Sequence, residues 1–299
     1  MQALFIGQAY IDITFLTDRI PSGDEKTVAR DYAVAFGGNA VTAAFACAKL
    51  GIIPDLMATI ADDWLGRMFM DMALAYRIPL HARKVERSSL SFIMPNDGKR
   101  AIVRCRDDHY LHPFPQLNLD GCRTLHLDGH QGDAAIAYAR TARERGILVS
   151  LDGGGVRDNT MDLLSFVDVA IVSERFCEQL DLDAEGTIGM LRDKGCRVAG
   201  VTLGEKGVIW HEKDQGMHAL PALHVPAERV VDTNGAGDLF HGAYVFSQMR
   251  WPDRSWDHPF RFARAASAHG VQHLGNEARL PRLDDVISTA NSFGDPLKA

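Results

Sequence analysis

Cysteine is scarce in this sequence and forms no motif. The five cysteines are scattered over 299 residues, and none belongs to a Cys-x-x-Cys pair. An odd and scattered set argues against a disulfide framework or a zinc site and favours reduced thiols in a cytoplasmic protein. Long apolar runs are missing as well. No stretch approaches the roughly 20 residues that cross a bilayer, so we expect no membrane association.

The sequence has fewer basic than acidic residues, and its first residues lack the patterns of a signal peptide and of a dinucleotide-binding glycine motif. The 32 Lys and Arg residues against 39 Asp and Glu residues give a net charge of −7, which offers no support for a nucleic-acid partner. The apolar segment 1–15 contains Asp12 and no basic leader, so it predicts a buried strand rather than a signal peptide. Residues 5–12 hold only Gly7, whereas a nucleotide-binding dehydrogenase carries Gly-x-Gly-x-x-Gly there, which argues against that class.

The sequence does contain strand and helix patterns that alternate from residue 124 onward, within an ordinary apolar content of 46%. Repeated strand–helix units predict an α/β fold with a mostly parallel sheet covered by helices. Ligands bind to such sheets at the carboxyl ends of the strands. Asp128, His130 and Asp152 follow predicted strands, so each is either a turn residue or a contact to a ligand.

The most informative stretch is Val231–Gly242, which is apolar at both ends and contains a pair of glycines between them. It predicts a strand, a tight turn on Gly235 and Gly237, and the first turn of a helix. Unpaired amides and the positive end of the helix dipole make such a turn an anion site. Asp238 in this turn is either a helix N-cap or a base that takes a proton from a hydroxyl attacking phosphorus. The pattern of all nine residues 232–240 favours the interpretation of Asp238 as the base.

Three segments carry a family resemblance. Asp232-Thr-Asn-Gly-Ala-Gly-Asp238 resembles the C-terminal signature of the ribokinase-like (PfkB-type) carbohydrate kinases, Asp-Thr-x-Gly-Ala-Gly-Asp. Gly37-Gly38-Asn39, at the start of an Ala-rich helix, resembles the family's N-terminal signature, and Thr202-Leu-Gly-Glu-Lys-Gly207 resembles a segment that lies along ATP. The three segments occur in the order that the family has.

This resemblance implies a fold and an activity. The fold is a ribokinase-like three-layer αβα sandwich with a mostly parallel central sheet, in a single domain over residues 1–299, with a small β-sheet lid near 13–35 and 84–110. The activity is an ATP-dependent transfer of the γ-phosphoryl group to a hydroxyl of a small-molecule sugar or sugar derivative. By family analogy, the lid also implies a homodimer joined edge to edge.

The resemblance assigns roles to individual residues. Asp238 is the general base, and the amides of three residues form the anion hole: Gly235, Ala236 and Gly237. The sugar is bound by a second group: Asp12, Gly37, Gly38, Asn39, Asp128 and His130. ATP lies along a third group: Ser173, Thr202, Gly204 and Gly207. Asp232 lies beneath the anion hole, where some members hold a monovalent cation such as K⁺.

One segment departs from the family pattern. Many members carry Asn-x-x-Glu where this chain has Ser173-Glu-Arg-Phe176, and those residues help to order Mg²⁺ and phosphate through water. Glu174 and Glu178 are the candidates to replace the missing carboxylate. Ketohexokinase-like and sulfofructose-kinase-like members are similar in having Ser at this position, which favours a keto-sugar or a modified sugar.

Alternatives remain open at this stage. A nucleoside kinase of the same fold would use aromatic lid contacts, for which Phe36, Phe92 and Tyr110 are candidates, and a sugar sensor without catalysis would fit the altered magnesium motif. Two alternating runs predict a lid hairpin that turns at 95–98. Its basic side chains, Arg104 and Arg106, face either an anionic substrate, an acidic partner or solvent.

Overall fold

The computed structural model describes residues 1–96 and 99–297. Its strands are, in chain order, β1 (Ala3–Gly7), β2 (Tyr10–Leu16), β3 (Asp31–Gly37), β4 (Asp55–Ile60), β5 (Leu80–Lys84), β6 (Leu90–Asn96), β7 (Lys99–Cys105), β8 (Thr124–Leu127), β9 (Leu148–Gly153), β10 (Val169–Ser173), β11 (Val198–Thr202), β12 (Val208–Glu212) and β13 (Gly216–Leu220). Its α-helices are α1 (Asn39–Leu50), α2 (Trp64–Ala75), α3 (Gly132–Glu144), α4 (Thr160–Leu164), α5 (Glu174–Gln179), α6 (Ala184–Asp193), α7 (Ala236–Arg250), α8 (Asp257–Gly270) and α9 (Leu283–Ser292).

Nine strands form the central sheet, in the order β13-β12-β11-β10-β9-β8-β1-β4-β5. Its strands pair in parallel except at one edge, where β12 and β13 are antiparallel. Strands such as β1 and β8 are buried along their whole length, because helices cover both faces of the sheet. One core lies under α1, α2, α7, α8 and α9, and the other lies under α3 to α6. The predicted three-layer α/β fold is confirmed.

The remaining four strands form the lid sheet, in the order β3-β2-β6-β7. Successive residues of a strand point to opposite faces, so the register defines an inner and an outer face. Ala35, Asp12, Ser91 and Arg104 stand side by side in one row of the inner face. The predicted hairpin is confirmed as β6 and β7, while residues 97 and 98 of its predicted turn lie outside the described residues.

The segment before the anion-binding turn differs from its prediction. Val231 and Asp232 form no strand, and their amides both donate to the carbonyl oxygen of Val271. That carbonyl follows the last residue of α8, where a helix leaves acceptors unpaired. Residues 259–274 are Ala-rich and amphipathic and predict a helix, and in the structure this helix begins at Asp257 and ends at Gly270.

The composition predicts that the chain contains no membrane-spanning segment and that its cysteines are reduced. Within residues 1–96 and 99–297, no helix has both the length and the apolar character of a membrane span. All five cysteines are free thiols. Four of them are buried, and Cys105, at the end of β7, is exposed.

Candidate active site

The anion-hole loop, residues 233–237, leads directly into α7. Gly235 precedes the helix with a left-handed φ of 73°, a conformation that is cheap only for glycine. A Cβ atom there would lie 2.6 Å from Oδ1 of Asn276, so no larger residue fits. Gly237 is exposed and has open space around it. The amides at the start of α7 are therefore accessible to a phosphate in the space bordered by Asp12, Asn39 and Asp238, which we call the cleft.

Asp238 lies in the first turn of α7 and is still partly accessible from the cleft. Burial of the carboxyl raises its pKa to about 7, with further contributions from the negative charges of Asp152 and Asp12. Arg279 and Arg104 act in the opposite direction. A carboxylate with a pKa near neutrality takes up a proton far more readily than an ordinary Asp, which is what a general base requires.

Asp152 lies at the carboxyl end of β9 and is almost fully buried. Burial raises its pKa to about 7, and a hydrogen bond from Asn39 partly offsets that rise. Nδ2 of Asn39 donates to Oδ2 of Asp152 at 3.1 Å. The N-terminal glycine signature is therefore tied to the same group of carboxylates as Asp238, although the two segments are about 200 residues apart.

A buried chain of polar side chains continues from Asp152 into the core. Nε2 of His241 lies 3.6 Å from Oδ1 of Asp152, and its Nδ1 lies 3.1 Å from the hydroxyl of Tyr244. Tyr244 and Ser150 are hydrogen-bonded at 2.5 Å, and Ser150 lies 3.0 Å from Nδ1 of His126. Burial lowers the pKa of His241 to about 3, so the ring is neutral. Sequence reasoning missed this chain, whose one local signal is a histidine three residues after Asp238.

Asp12 projects from the inner face of the lid sheet toward the body of the protein. Nδ2 of Asn276 donates to its Oδ2 at 3.1 Å, whereas Oδ1 is buried without a partner in the described part of the chain. Burial raises the pKa of Asp12, while the neighbouring hydroxyl of Ser91, the charge of Arg104 and the hydrogen bond from Asn276 lower it. A Cβ at Gly37 would lie 2.3 Å from this carboxylate. An unsatisfied buried acceptor is costly, and a sugar hydroxyl is a suitable donor for it.

Asp128 lies at the end of β8, where backbone groups hold its carboxylate. Its Oδ2 accepts from the amides of Gln8 and Ala40, both at 3.3 Å, and its Oδ1 accepts from the amide of His130 at 3.0 Å. Burial lowers the pKa of His130 to about 4, so its ring is neutral. Asp128 thus joins the start of α1 to β1 and β8, and its contact with substrate stays a prediction.

The residues assigned to ATP lie at the ends of neighbouring strands. Ser173 and Thr202 are paired across β10 and β11. Ser173 caps α5 by accepting from the amide of Phe176 at 3.4 Å, and Thr202 donates to the carbonyl of Val172 at 3.3 Å. Gly207 has a φ of 101°, and a Cβ there would lie 2.1 Å from the carbonyl oxygen of Leu220. This segment has a clear structural role in addition to the predicted one.

The missing magnesium motif has a structural explanation. Phe176, which stands where many family members have Glu, is fully buried. It packs against Gly153, where an added Cβ would lie 3.3 Å from the ring of Phe176. Glu174 and Glu178 are both exposed, and Glu174 lies beside the segment assigned to ATP, 3.9 Å from Lys206. The described residues contain no cluster of three His, Cys, Asp or Glu side chains that would hold a metal ion by itself. His269 and His273 stack with ring centres 4.6 Å apart and belong to no such cluster.

Asp232 has a partner that sequence reasoning missed. Nη2 of Arg279 donates to Oδ2 of Asp232 at 2.5 Å, and Nε of the same guanidinium donates to the carbonyl of Gly275 at 3.1 Å. Both charged side chains are buried. The position beneath the anion-hole loop thus already contains a cation, which argues against the K⁺ ion that the resemblance implies at Asp232.

Comparison with known proteins places this geometry in a family. The model of the pfkB family carbohydrate kinases matches residues 2–282. A ribokinase from Lactococcus lactis subsp. lactis is 26% identical over 294 residues, covering 94% of each chain. An ATP-dependent ribose-1-phosphate kinase from Halopiger xanaduensis is 26% identical over 278 residues, covering 90% of this chain and 91% of its own.

A solved structure agrees with the fold. The structure of Arabidopsis thaliana ribokinase complexed with ribose and ATP superposes with a TM-score of 0.78 at 22% identity, covering 96% of this chain and 98% of that chain. The family model runs from β1 to the residue before α9. It therefore contains both glycine signatures and the carboxylates that they bring together, and this protein belongs to the pfkB family of carbohydrate kinases.

Proposed function

We propose that this kinase transfers the γ-phosphoryl group of ATP to a hydroxyl of a sugar or sugar derivative, with Asp238 as the general base. The observation that carries the proposal is the position of Asp238 in the first turn of α7, next to the anion-hole loop, with its pKa raised to about 7. A base beside an anion site is the arrangement that phosphoryl transfer to a hydroxyl requires.

Each side of the cleft has a defined task in this mechanism. The unpaired Oδ1 of Asp12 and the side chain of Asn39 bind sugar hydroxyls, and Asp238 accepts the proton of the attacking hydroxyl. The amides of Gly235, Ala236 and Gly237 stabilise the charge that develops on the phosphoryl group. The lid sheet covers the sugar and excludes water, which would otherwise compete for the phosphoryl group.

ATP lies along residues 202–207, with Ser173 and Glu174 at the edge of its site. Mg²⁺ at this site would neutralise negative charge on the phosphate groups of the nucleotide. Glu174 is better placed than Glu178 to reach it, because it lies next to Lys206 of the ATP segment. The proposal does not require K⁺, since Arg279 already neutralises Asp232.

A nucleoside kinase is the second candidate, and the aromatic residues do not favour it. Phe36 is fully buried and stacks on Phe45 with ring centres 3.7 Å apart. Phe92 lies in the outer face of the lid sheet, stacked on Phe15. Tyr110 packs against the guanidinium of Arg83. None of the three is free in the cleft to stack on a base, which supports a sugar as the acceptor.

We also propose a cytoplasmic homodimer that pairs through the lid sheets. The free thiols are consistent with a reducing compartment. The outer face of the lid sheet exposes Tyr32, Phe92 and Val103, which are 66%, 41% and 67% accessible. Contiguous exposed apolar side chains are characteristic of protein interfaces.

A coupled ADP-release assay over ketoses, aldoses, sugar acids, sulfo-sugars and nucleosides tests the activity. We expect ADP release to depend on one class of sugar and to yield a sugar phosphate that is detectable by mass spectrometry. Preferential use of nucleosides would establish the second candidate. Sugar binding without any ADP release would instead indicate a sensor.

A further inference from the structure

The substrate end of the cleft contains arginines that the proposed mechanism does not use. Arg104 lies on β7 of the lid sheet, and Arg157 lies in the loop that follows β9. Among the described residues, no carboxylate lies within ion-pair distance of Arg104 or Arg157. Arg106, in contrast, pairs with Asp108 at 3.0 Å. Two guanidinium groups that border one cleft without forming an ion pair point to a ligand with negative charge.

Arg104 is directed into the cleft by the register of the lid sheet. It shares an inner-face row with Ser91 and Asp12, two strand spacings from Asp12, which is about 10 Å between backbones. Its Nε donates to Oγ of Ser91 at 3.3 Å, and its guanidinium lies 4.6 Å from the ring centre of Tyr10. These contacts hold the guanidinium through Nε and leave both Nη atoms for a ligand.

Arg157 approaches the same place from the body of the protein. Its Nε donates to the carbonyl oxygen of Asp128 at 3.0 Å, and its amide donates to Oγ1 of Thr160 at 2.8 Å. A Cβ at Gly129 would lie 3.2 Å from Cδ and Nε of this arginine. Arg157 is thus also fixed through Nε.

Arg104 and Arg157, together with Arg106, shift the pKa values of the same neighbouring residues. Arg104, Arg106 and Arg157 all lower the pKa of Tyr10 against the rise that burial causes. The same three residues add to the effect of burial in lowering the pKa of His130. Arg104 also lowers the pKa of Asp12 and of Asp238. The positive charge therefore lies beside the residues that bind and deprotonate the sugar.

We propose that the sugar substrate carries an anionic group, a phosphate, sulfonate or carboxylate, which Arg104 and Arg157 bind from opposite sides of the cleft. This inference rests on the proposed sugar-kinase function. Asp12 binds hydroxyls in the middle of the substrate, the anionic group lies toward β7, and the reacting hydroxyl lies at Asp238. One anion between a lid residue and a body residue also links substrate binding to closure of the lid sheet.

Matched sugars test the inference directly. ADP release is measured with fructose, fructose 6-phosphate and 6-deoxy-6-sulfofructose, and with a neutral aldose against its sugar acid. We expect at least one anionic sugar to have a kcat/KM about tenfold or more above its neutral parent, since hydrogen bonds to charged groups contribute strongly. The preferred member identifies the anion as phosphate, sulfonate or carboxylate.

Two variants connect the preference to the residues. Arg104→Gln and Arg157→Gln each keep a polar side chain and remove the charge. We expect each to raise KM for the anionic sugar about tenfold or more, with little change in KM for ATP. Arg140→Gln is the matched control, because Arg140 also packs on an aromatic ring, at 5.5 Å from Phe166, but lies on α3 outside the cleft.

The outcomes separate this inference from the proposed function. A neutral sugar used as efficiently as every anionic counterpart overturns the inference and leaves the sugar kinase intact. Equal losses for neutral and anionic sugars in both variants overturn it too. If no sugar releases ADP, the proposed function fails, and calorimetric titration then tests the inference by itself. Tighter binding of the anionic sugar than of its neutral parent, lost in Arg104→Gln, supports the inference. Equal binding of the two sugars overturns it as well.

Discussion

Arg279 and Asp232 form a closed ion pair directly behind the anion-hole loop. Nη2 of Arg279 donates to Oδ2 of Asp232 at 2.5 Å, and the two side chains are 0% and 1% exposed. Nη1 of the same guanidinium is buried without a partner in the described residues and would lie 3.4 Å from a Cβ at Gly235. The chain thus carries a fixed positive charge under the amides that are proposed to bind phosphate.

We expect the activity to be insensitive to K⁺ because of this arginine. Replacing K⁺ by tetramethylammonium in the assay should leave kcat unchanged in the wild type. Arg279→Met leaves a buried carboxylate unpaired and should lower the free energy of unfolding by about 3–5 kcal/mol. The double variant Asp232→Asn/Arg279→Met is the control and should be less destabilised. A wild-type enzyme that needs K⁺ would contradict the interpretation.

The role of Asp238 is tested by Asp238→Asn. The amide has the shape of the carboxylate but accepts no proton, so turnover should fall by about 10²–10⁴-fold, while the affinity for ATP changes little. Steady-state kinetics and a nucleotide-binding titration measure the two effects. Asp284→Asn removes a comparable carboxylate from the first turn of α9 and should be neutral. Near-normal turnover of Asp238→Asn would refute the mechanism.

The pH dependence of the rate follows from the pair of buried carboxylates. A base with a pKa of about 7 is half protonated at neutral pH, so kcat/KM should rise about tenfold per pH unit below that value and level off above it. In Asp152→Asn the neighbouring negative charge is gone, which should lower the pKa of Asp238 and move the profile to lower pH. An unchanged midpoint in this variant would show that the two carboxylates do not interact.

The same pKa values predict how stability depends on pH. Between an ordinary Asp pKa of 3.8 and about 7, the folded protein keeps protons on Asp238 and Asp152 that the unfolded chain has released. The folded state binds more protons, so this contribution to stability is complete below pH 3.8 and is lost as pH rises through 7. Urea unfolding at pH 8 should show Asp238→Asn more stable than wild type by at least about 1 kcal/mol, equivalent to one pKa unit. The advantage should shrink at pH 5.

Gly38 is required by both its conformation and its surroundings. Its φ is 104°, and a Cβ there would lie 1.9 Å from the carbonyl oxygen of Gln8. Gly51 has a similar φ of 120° but nothing within 4 Å of an added Cβ. Gly51→Ala should therefore cost only the backbone strain, about 1–2 kcal/mol, and Gly38→Ala should cost about 1–3 kcal/mol more because of the clash. Thermal or urea unfolding of the pair separates the two effects, and equal losses would mean that the backbone at Gln8 relaxes.

Much of the fold was predictable because its signals are local. The alternation of strand and helix patterns after residue 124 depends on side chains a few positions apart, and it predicted the layered sheet and its covered faces. The glycine turn at 235–237 likewise depends on neighbouring residues only. The strand predicted at Val231 was wrong because a strand needs a neighbouring strand to pair with. The amides of Val231 and Asp232 instead donate to the carbonyl oxygen of Val271 at the end of α8.

The sequence by itself determined the family, the layers and the position of Asp238 at the start of a helix, since each is written in contiguous motifs. The tertiary structure alone decided which charges meet. Arg279 lies 47 residues after Asp232, and His241 approaches Asp152 from a different element. Arg104 joins the cleft only through the register of the lid sheet. Such pairings depend on how whole elements pack, so the electrostatics of the site emerge from the fold rather than from any single motif.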